Sequence, residues 1–270
     1  MIALFLEGLI AIAVSLSVLM AIAWLVQQRT GNSGWVDTIW TFSLGLVGVA
    51  SALWPIAGTA PNSRQWLVAA LLAIWSLRLG AHIAARTAGI TDDPRYASFV
   101  KEWGVDSPRR MFIFLQNQAF GSIPLVFAIF AAARFPLPEL RLQDYLGALI
   151  LFVGIAGEAL ADAQLKNFRV DPANKGRVCD VGLWRWSRHP NYFFEWFGWL
   201  AYPVIALSPE YVWGWATLLA PVFMYWILVH VTGIPPLEAQ MLRSRGERYR
   251  AYQSRTSMFF PLPPREGMAA

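Results

Sequence analysis

The sequence predicts an all-α polytopic membrane protein, a seven-transmembrane helical bundle with its N-terminus outside and its C-terminus cytoplasmic. Three observations predict it. The 270 residues are 56% hydrophobic and 14% charged, far from the mixture of a soluble domain. Apolar stretches recur at 2–27, 36–54, 66–86, 111–133, 142–162, 193–208 and 212–232, against the roughly 20 residues a helix needs to cross a bilayer. Of the 22 Lys and Arg, 18 fall in the connections assigned to one side, and such asymmetry places that side in the cytoplasm. Backbone polar groups in lipid must be satisfied within the segment, so the spans are helices.

The first segment opens M-I-A-L-F-L-E-G-L-I-A, without the basic start and small-residue cleavage site of a signal peptide, and reads as a span. Segment two opens G-N-S-G-W-V-D-T-I-W, where Asn32 or Ser33 caps the helix and Asp37 falls in its first turns. Asp37 is then either an acid suited to the helix dipole or a functional acid. Segment three places Arg78 and His82 four residues apart on one face. A charge as deep as Arg78 is costly and needs a polar cavity or a partner, such as Asp37 or a ligand phosphate. His82 is either a core histidine or faces a ligand.

The loop T-D-D-P-R-Y-A-S-F-V-K-E-W-G reads as a short amphipathic helix capped by Asp92 or Asp93, with Pro94 first. Its Tyr96 points into a site or into the headgroups. Segment four begins F-L-Q-N-Q, and Asn117 reads as cavity-lining; Pro124 should kink this segment and Pro221 the seventh. Segment five carries Glu158, Asp162, Lys166 and Arg169 on one helical face. The acids lie well inside the span, where a polar cavity accounts for them better than lipid. In a ligand site, acids of this kind accept ribose hydroxyls and the bases meet phosphates.

Composition also excludes function classes. The single cysteine, Cys179, leaves no disulfide framework or multi-cysteine zinc site, and the three histidines, His82, His189 and His230, form no spaced ligand motif. No metal is expected. The net charge of +5 comes from short loops beside apolar runs, which argues for membrane topology and not for nucleic acid. No repeat or linker divides the chain, so residues 1–270 form one domain, helices 1–133 serving the substrate side and 142–265 the cofactor side.

The richest stretch is Gly182–Glu195, G-L-W-R-W-S-R-H-P-N-Y-F-F-E. Pro190 disfavours helix at His189 and starts the next one. Arg185 and Arg188 beside that helix N-terminus suggest a phosphate site; the plainer reading is a basic loop with an aromatic belt. Asn191 and Glu195 share a face and offer the donor and acceptor that a carboxamide requires.

This block resembles the signature of the steroid 5-alpha-reductase family and its bacterial membrane relatives, shared with sterol reductases and isoprenylcysteine carboxyl methyltransferases. The resemblance continues through Glu238, G-E-R-Y-R-A-Y at Gly246–Tyr252 and F-F-P at Phe259–Pro261, and more loosely through W-V-D-T-I-W at Trp35–Trp40 and D-P-R-Y at Asp93–Tyr96. It implies a membrane oxidoreductase that takes NADPH from the cytoplasm and a lipophilic enone, such as a 3-oxo-4-ene steroid, from the bilayer. No obligate protein partner is evident. It also implies that Asn191 and Glu195 meet the nicotinamide, with Trp184, Arg188, His189, Tyr192, Glu238 and Tyr249 around the cofactor. Asp37 stands where the animal enzymes carry a glutamate of a Gln-Glu pair, although Val36 replaces the glutamine here. Asp37 is therefore the expected proton donor, with Arg78 and His82 as polarising groups in place of the family's tyrosine.

Two other classes compete. An S-adenosylmethionine-dependent methyltransferase of the isoprenylcysteine type shares the R-H-P-x-Y block, but it has no need of the stripe from Glu158 to Arg169 or of a buried Asp37 and Arg78. A transporter usually shows inverted repeats with broken helices, and none is visible.

Overall fold

The computed structural model describes residues 2–56 and 58–265. Met1, Ala57 and residues 266–270, which the domain expectation over 1–270 included, lie outside the described residues. Those described are 79% helical, with no strand among them. Six helical stretches are long and apolar enough to cross a membrane: Ile2–Thr30, Gly34–Leu53, Ser63–Ala88, Arg95–Ala132, Leu142–Val170 and Val212–Arg245. The helices are α1 Ile2–Thr30, α2 Gly34–Leu53, α3 Ser63–Ala88, α4 Pro94–Trp103, α5 Ser107–Ala132, α6 Leu142–Val170, α7 Pro190–Trp199, α8 Ala201–Ala206, α9 Val212–Ala216, α10 Leu219–Trp226, α11 Ile234–Arg245 and α12 Glu247–Arg255.

The expected sixth and seventh segments differ from this. Residues 193–208 are split between α7 and α8, where Pro203 has no N–H for the carbonyl of Trp199 and interrupts the hydrogen-bond ladder. Residues 212–232 comprise α9, α10 and a π-helical turn at Ile227–Val231. Here Pro221 has no N–H for the carbonyl of Thr217, which accepts instead from the Ala220 N–H at 3.2 Å, and Thr217 is where α9 ends.

The chain forms two compact units. The first comprises Met1–Ala148 and Tyr202–Ala220, the second Leu149–Ala201 and Pro221–Ala270. In the first, α1 lies against α2 and α5, and α2 against α3 and α5. Leu16, Met20, Leu44, Leu72, Leu115 and Ile129 are fully buried. The opposite face of α1 exposes Ile10, Val14 and Val18; a helix apolar all round belongs in lipid. At one end of this unit, Arg64 pairs with Asp144 through Nε–Oδ1 at 2.7 Å and Nη2–Oδ2 at 2.9 Å, both side chains fully buried. Arg134 donates to the carbonyls of Ser51, Phe130 and Trp54, and burial pushes its guanidinium down to about 10. Arg141 donates to the carbonyl of Ile205 and lies 3.3 Å over the Phe135 ring.

In the second unit, α6 and α7 touch at glycines. A Cβ on Gly154 would lie 2.9 Å from the Gly198 Cα and from the Phe194 carbonyl oxygen, so a side chain there would part the helices. A small core gathers Val229, Ile234 and Phe259 beneath Tyr192, Phe193, Trp196 and Tyr225. Gly246, at φ 53°, separates α11 from α12, a backbone angle that glycine adopts without strain.

Candidate functional site

Two polar clusters stand out, one in each unit. The first forms where the start of α2 meets the end of α3 and the helix α4. Asp93 N-caps α4, its side chain accepting from the Arg95 N–H at 3.0 Å; Pro94 occupies the first position, as the loop sequence predicts. This cap aims the next two side chains at α2. Arg95 donates through Nη2 to Asp37 Oδ2 at 2.5 Å and to Asp93 Oδ2 at 2.8 Å, with Nε on Asp93 Oδ1 at 3.0 Å. Tyr96 is buried and its hydroxyl donates to Asp37 Oδ1 at 2.7 Å. Arg86, in the last turn of α3, lies 3.7 Å from Asp93 and 4.0 Å from Asp37. Burial would raise the Asp93 carboxyl, but the hydrogen bonds and charge of Arg95, with Arg86 behind, hold it below its ordinary value. The scaffold is pinned by Asn32, whose amide donates to the carbonyls of Thr87 and Ile90 and whose Oδ1 accepts from the Gly34 N–H.

This geometry changes the role expected of Asp37. Asp37 accepts from the Tyr96 phenol and from Arg95 at 2.5 Å, with Arg86 at 4.0 Å, so both its carboxylate oxygens act as hydrogen-bond acceptors here. The donor in the cluster is Tyr96, which the sequence reading left between site and headgroups. The D-P-R-Y spacing was the available signal, since an Asp-Pro start fixes which face the following Arg and Tyr present. Arg78 and His82 share a face of α3 as expected; Arg78 is half-buried and His82 exposed. Asn117, expected to line the cavity, is exposed. Its neighbours take up the polar contacts instead: Gln116 accepts from the Ser17 hydroxyl at 2.6 Å, and Gln118 donates to the Tyr96 hydroxyl oxygen at 3.4 Å.

The second cluster is built on the Gly182–Glu195 block. A 3-10 turn at Gly182–Arg185 buries Trp184, whose indole donates to the Ala161 carbonyl at 2.9 Å. Helix α7 begins at Pro190, as expected, and no side chain caps it. Arg188 is nearly buried. Its Nε donates to Glu238 Oε1 at 2.6 Å and its Nη1 to the carbonyls of Gln253 and Thr256 at 3.1 and 2.7 Å. Gln253 donates to Glu238 Oε2 at 2.8 Å. His189 Nε2 lies 3.2 Å from Glu238 Oε1. Burial holds the imidazole below its ordinary value despite Glu238, so His189 is neutral near pH 7 and its Nε2 carries the proton, since a carboxylate only accepts. Tyr249 is buried beside Glu238, and burial followed by that negative charge raises its phenol.

The expectation that Arg188 meets a phosphate is qualified by these contacts: its Nε and Nη1 are engaged by Glu238 and two backbone carbonyls. Arg188, His189, Glu238 and Tyr249 form an internal clamp that ties the block to α11, α12 and the F-F-P segment, to which Ser187 adds a hydrogen bond at the Phe259 carbonyl. Arg185, Lys166 and Arg169 are exposed. Asn191 donates to Asp162 Oδ1 at 3.3 Å, joining α7 to α6, and Glu195 accepts from the Trp199 indole at 2.9 Å. Glu158 is buried one turn before Asp162 on α6, and the Tyr192 ring stacks on His189 at 5.8 Å. A separate surface hollow of about 400 Å³, lined by Gln164, Asn167, Asn174, Arg177 and Asp180 among others, includes none of the expected cofactor residues.

Comparison with known proteins agrees with the extent of the helical body. A protein of Schizosaccharomyces pombe (strain 972 / ATCC 24843), described as uncharacterized, is 34% identical over 97 residues, which is 35% of this chain and 27% of the yeast protein. The match thus spans about a quarter of that relative's length. No solved structure matches the chain. Residues 23–256 match the family described as Protein of unknown function (DUF1295). With nearly the whole helical body inside that match, the chain belongs to the DUF1295 family.

Proposed function

We propose that this protein is an NADPH-dependent membrane reductase acting on the carbon–carbon double bond of a lipophilic enone, such as a 3-oxo-4-ene steroid. The observation that carries the reading is the phenol–carboxylate pair, buried Tyr96 on half-buried Asp37 at 2.7 Å, braced by Arg95. A helical membrane protein keeps such charged groups away from lipid at a cost, and they mark function by default. Membership of a steroid 5-alpha-reductase-like family supports it.

The donor set of the second cluster fits a phosphate-bearing dinucleotide. It offers exposed Arg185, Lys166 and Arg169, an α7 start with no side-chain cap, and the paired amide and acids of Asn191, Asp162 and Glu195. Lys166, Arg169 and the α7 N-terminus would hold the phosphates, while Asp162 and Glu158 accept ribose hydroxyls. Asn191 and Glu195 would hold the carboxamide. When bound, the cofactor supplies a hydride to the β carbon of the enone.

The chain's own share is orientation and charge stabilisation. Tyr96 turns its O–H from Asp37 to the substrate carbonyl and stabilises the oxygen as negative charge develops there. Its proton then completes the reduction at the α carbon, and the phenol is restored from solvent. Asp37 holds the phenol in place between turnovers. Arg95 is shared by Asp37 and Asp93, and its hydrogen bonds and charge oppose the effect of burial on the Asp93 carboxyl.

The N-terminus lies outside and the cofactor face is cytoplasmic in this reading. The six long helices and the split α7–α8 segment together make seven crossings. Arg64, Arg134 and Arg141, the basic residues of the outer connections, are largely withdrawn into the protein, so they oppose the positive-inside bias weakly.

The test is thermal stabilisation of detergent-purified protein by NADPH against S-adenosylmethionine, followed by turnover on a panel of 3-oxo-4-ene steroids and enoyl lipids. Stabilisation by NADPH and consumption of the double bond are expected. Stabilisation by S-adenosylmethionine alone overturns the reading in favour of a methyltransferase.

A further inference from the structure

The amide of Gln118 raises a question that the reaction above leaves open. Its Nε2 donates to the Tyr96 hydroxyl oxygen at 3.4 Å, while the Tyr96 proton goes to Asp37 Oδ1 at 2.7 Å. A phenol has one proton. With that proton on Asp37, the oxygen can only accept from Gln118, which fixes the amide with its N–H₂ towards Tyr96 and its carbonyl away. That carbonyl oxygen is buried and accepts no hydrogen bond among the described residues. Turning the amide over would satisfy nothing, because two acceptors would then face each other. The turn of α5 that carries Gln118 is itself pinned: Ser122 donates to the backbone carbonyl of Gln118 at 2.7 Å and accepts from the Trp40 indole at 2.8 Å. A buried acceptor left unpaired in a rigid setting calls for an explanation, and such local costs gather where function requires them.

We propose that Gln118 is a positioning residue for Tyr96, holding the phenol oxygen on one lone pair while its proton swings from Asp37 to the substrate. The proposal rests on the reductase reading. In the step it serves, hydride from a bound reduced nicotinamide would form the β C–H bond, the C=C pair would become the bond between the α and carbonyl carbons, and the carbonyl π pair would move onto oxygen. The Tyr96 O–H bond then breaks, its proton forming the α C–H bond as the carbonyl is restored and its electron pair staying on the phenoxide. The Gln118 N–H is the neutral donor that meets this phenoxide, opposite the charge of Asp37.

Gln118→Met removes the donor at nearly constant volume, and Gln118→Asn keeps an amide on a shorter arm. With Gln118→Met, kcat is expected to fall roughly 10- to 100-fold, less than for a donor acting directly on the oxyanion. The KM values and the thermal stabilisation by NADPH should hold, and the solvent deuterium isotope effect should rise as proton transfer becomes limiting. Gln118→Asn should recover part of the rate. An unchanged kcat, or a fall with an unchanged isotope effect, overturns the proposal. A spectroscopic arm separates it from the reductase reading: with tyrosine ζ-carbons labelled with carbon-13 and Tyr96 assigned from Tyr96→Phe, the Tyr96 resonance should move in Gln118→Met. If wild-type protein reduces nothing in the panel, the reductase reading fails on its own. A Tyr96 resonance unmoved by Gln118→Met overturns the role of Gln118 in either case.

Discussion

Replacing Asp144 by Asn tests how the arginine-rich end of the first unit is held. Asp144 and Arg64 are both fully buried, bonded at 2.7 and 2.9 Å. Asp144 also accepts from the Arg141 N–H at 2.7 Å. Arg64 keeps further acceptors in the carbonyls of Phe135, Leu137 and Glu139. The amide keeps the shape but removes the charge and turns an N–H₂ towards a guanidinium. Breaking a buried pair from one side costs about 3–5 kcal/mol, because the remaining charge is uncompensated. The carbonyls around Arg64 offset part of this, so the lower half of that range, about 3–4 kcal/mol, is expected. Arg64→Met combined with Asp144→Leu removes both charges and should cost less than Asp144→Asn alone. The assay is reversible unfolding in mixed detergent micelles, followed by tryptophan fluorescence. A loss below about 1 kcal/mol for Asp144→Asn, the range of an exposed pair, would refute the reasoning. So would a double variant as damaged as the sum of the singles.

Other outcomes follow from the same contacts. Tyr96→Phe should lower turnover by about 10²- to 10⁴-fold, the range for a lost general acid, while NADPH stabilisation in a thermal-shift assay is kept. His189 is held below its ordinary value. The unfolded chain therefore binds its proton first, so the contribution of His189 to stability is full above about pH 6.5 and is lost as pH falls towards the folded value. Thermal unfolding between pH 7 and 5 should show this slope, and His189→Gln, which keeps an N–H for Glu238 but does not titrate, should flatten it. Gly154→Val should force α6 from α7 and cost about 1–3 kcal/mol or more, read as a lowered unfolding midpoint with reduced NADPH stabilisation.

Some of the site was legible from local signals. The Asp-Pro cap of α4 and the Pro190 start of α7 depend on residues a few positions apart, so they could be placed in advance. The roles could not. Arg188 beside a helix N-terminus reads as a phosphate ligand until Glu238, 50 residues later, is found on its guanidinium. Asp37 reads as a donor until Tyr96, 59 residues on, is found donating to it. Of the three amide residues within α5, only side-chain direction distinguishes Gln118, which meets Tyr96, from exposed Asn117.

By itself the sequence determined that this is a helical membrane protein, where the long apolar helices run, and which short stretch concentrates amides, acids and arginines. Helix length, apolar run and cap are properties of neighbours along the chain. Only the tertiary structure decided which acid meets which base, which arginines are consumed in holding the protein together, and which tyrosine joins Asp37. A hydrogen bond is settled by partners brought together in space, and spacing along the chain does not carry that information.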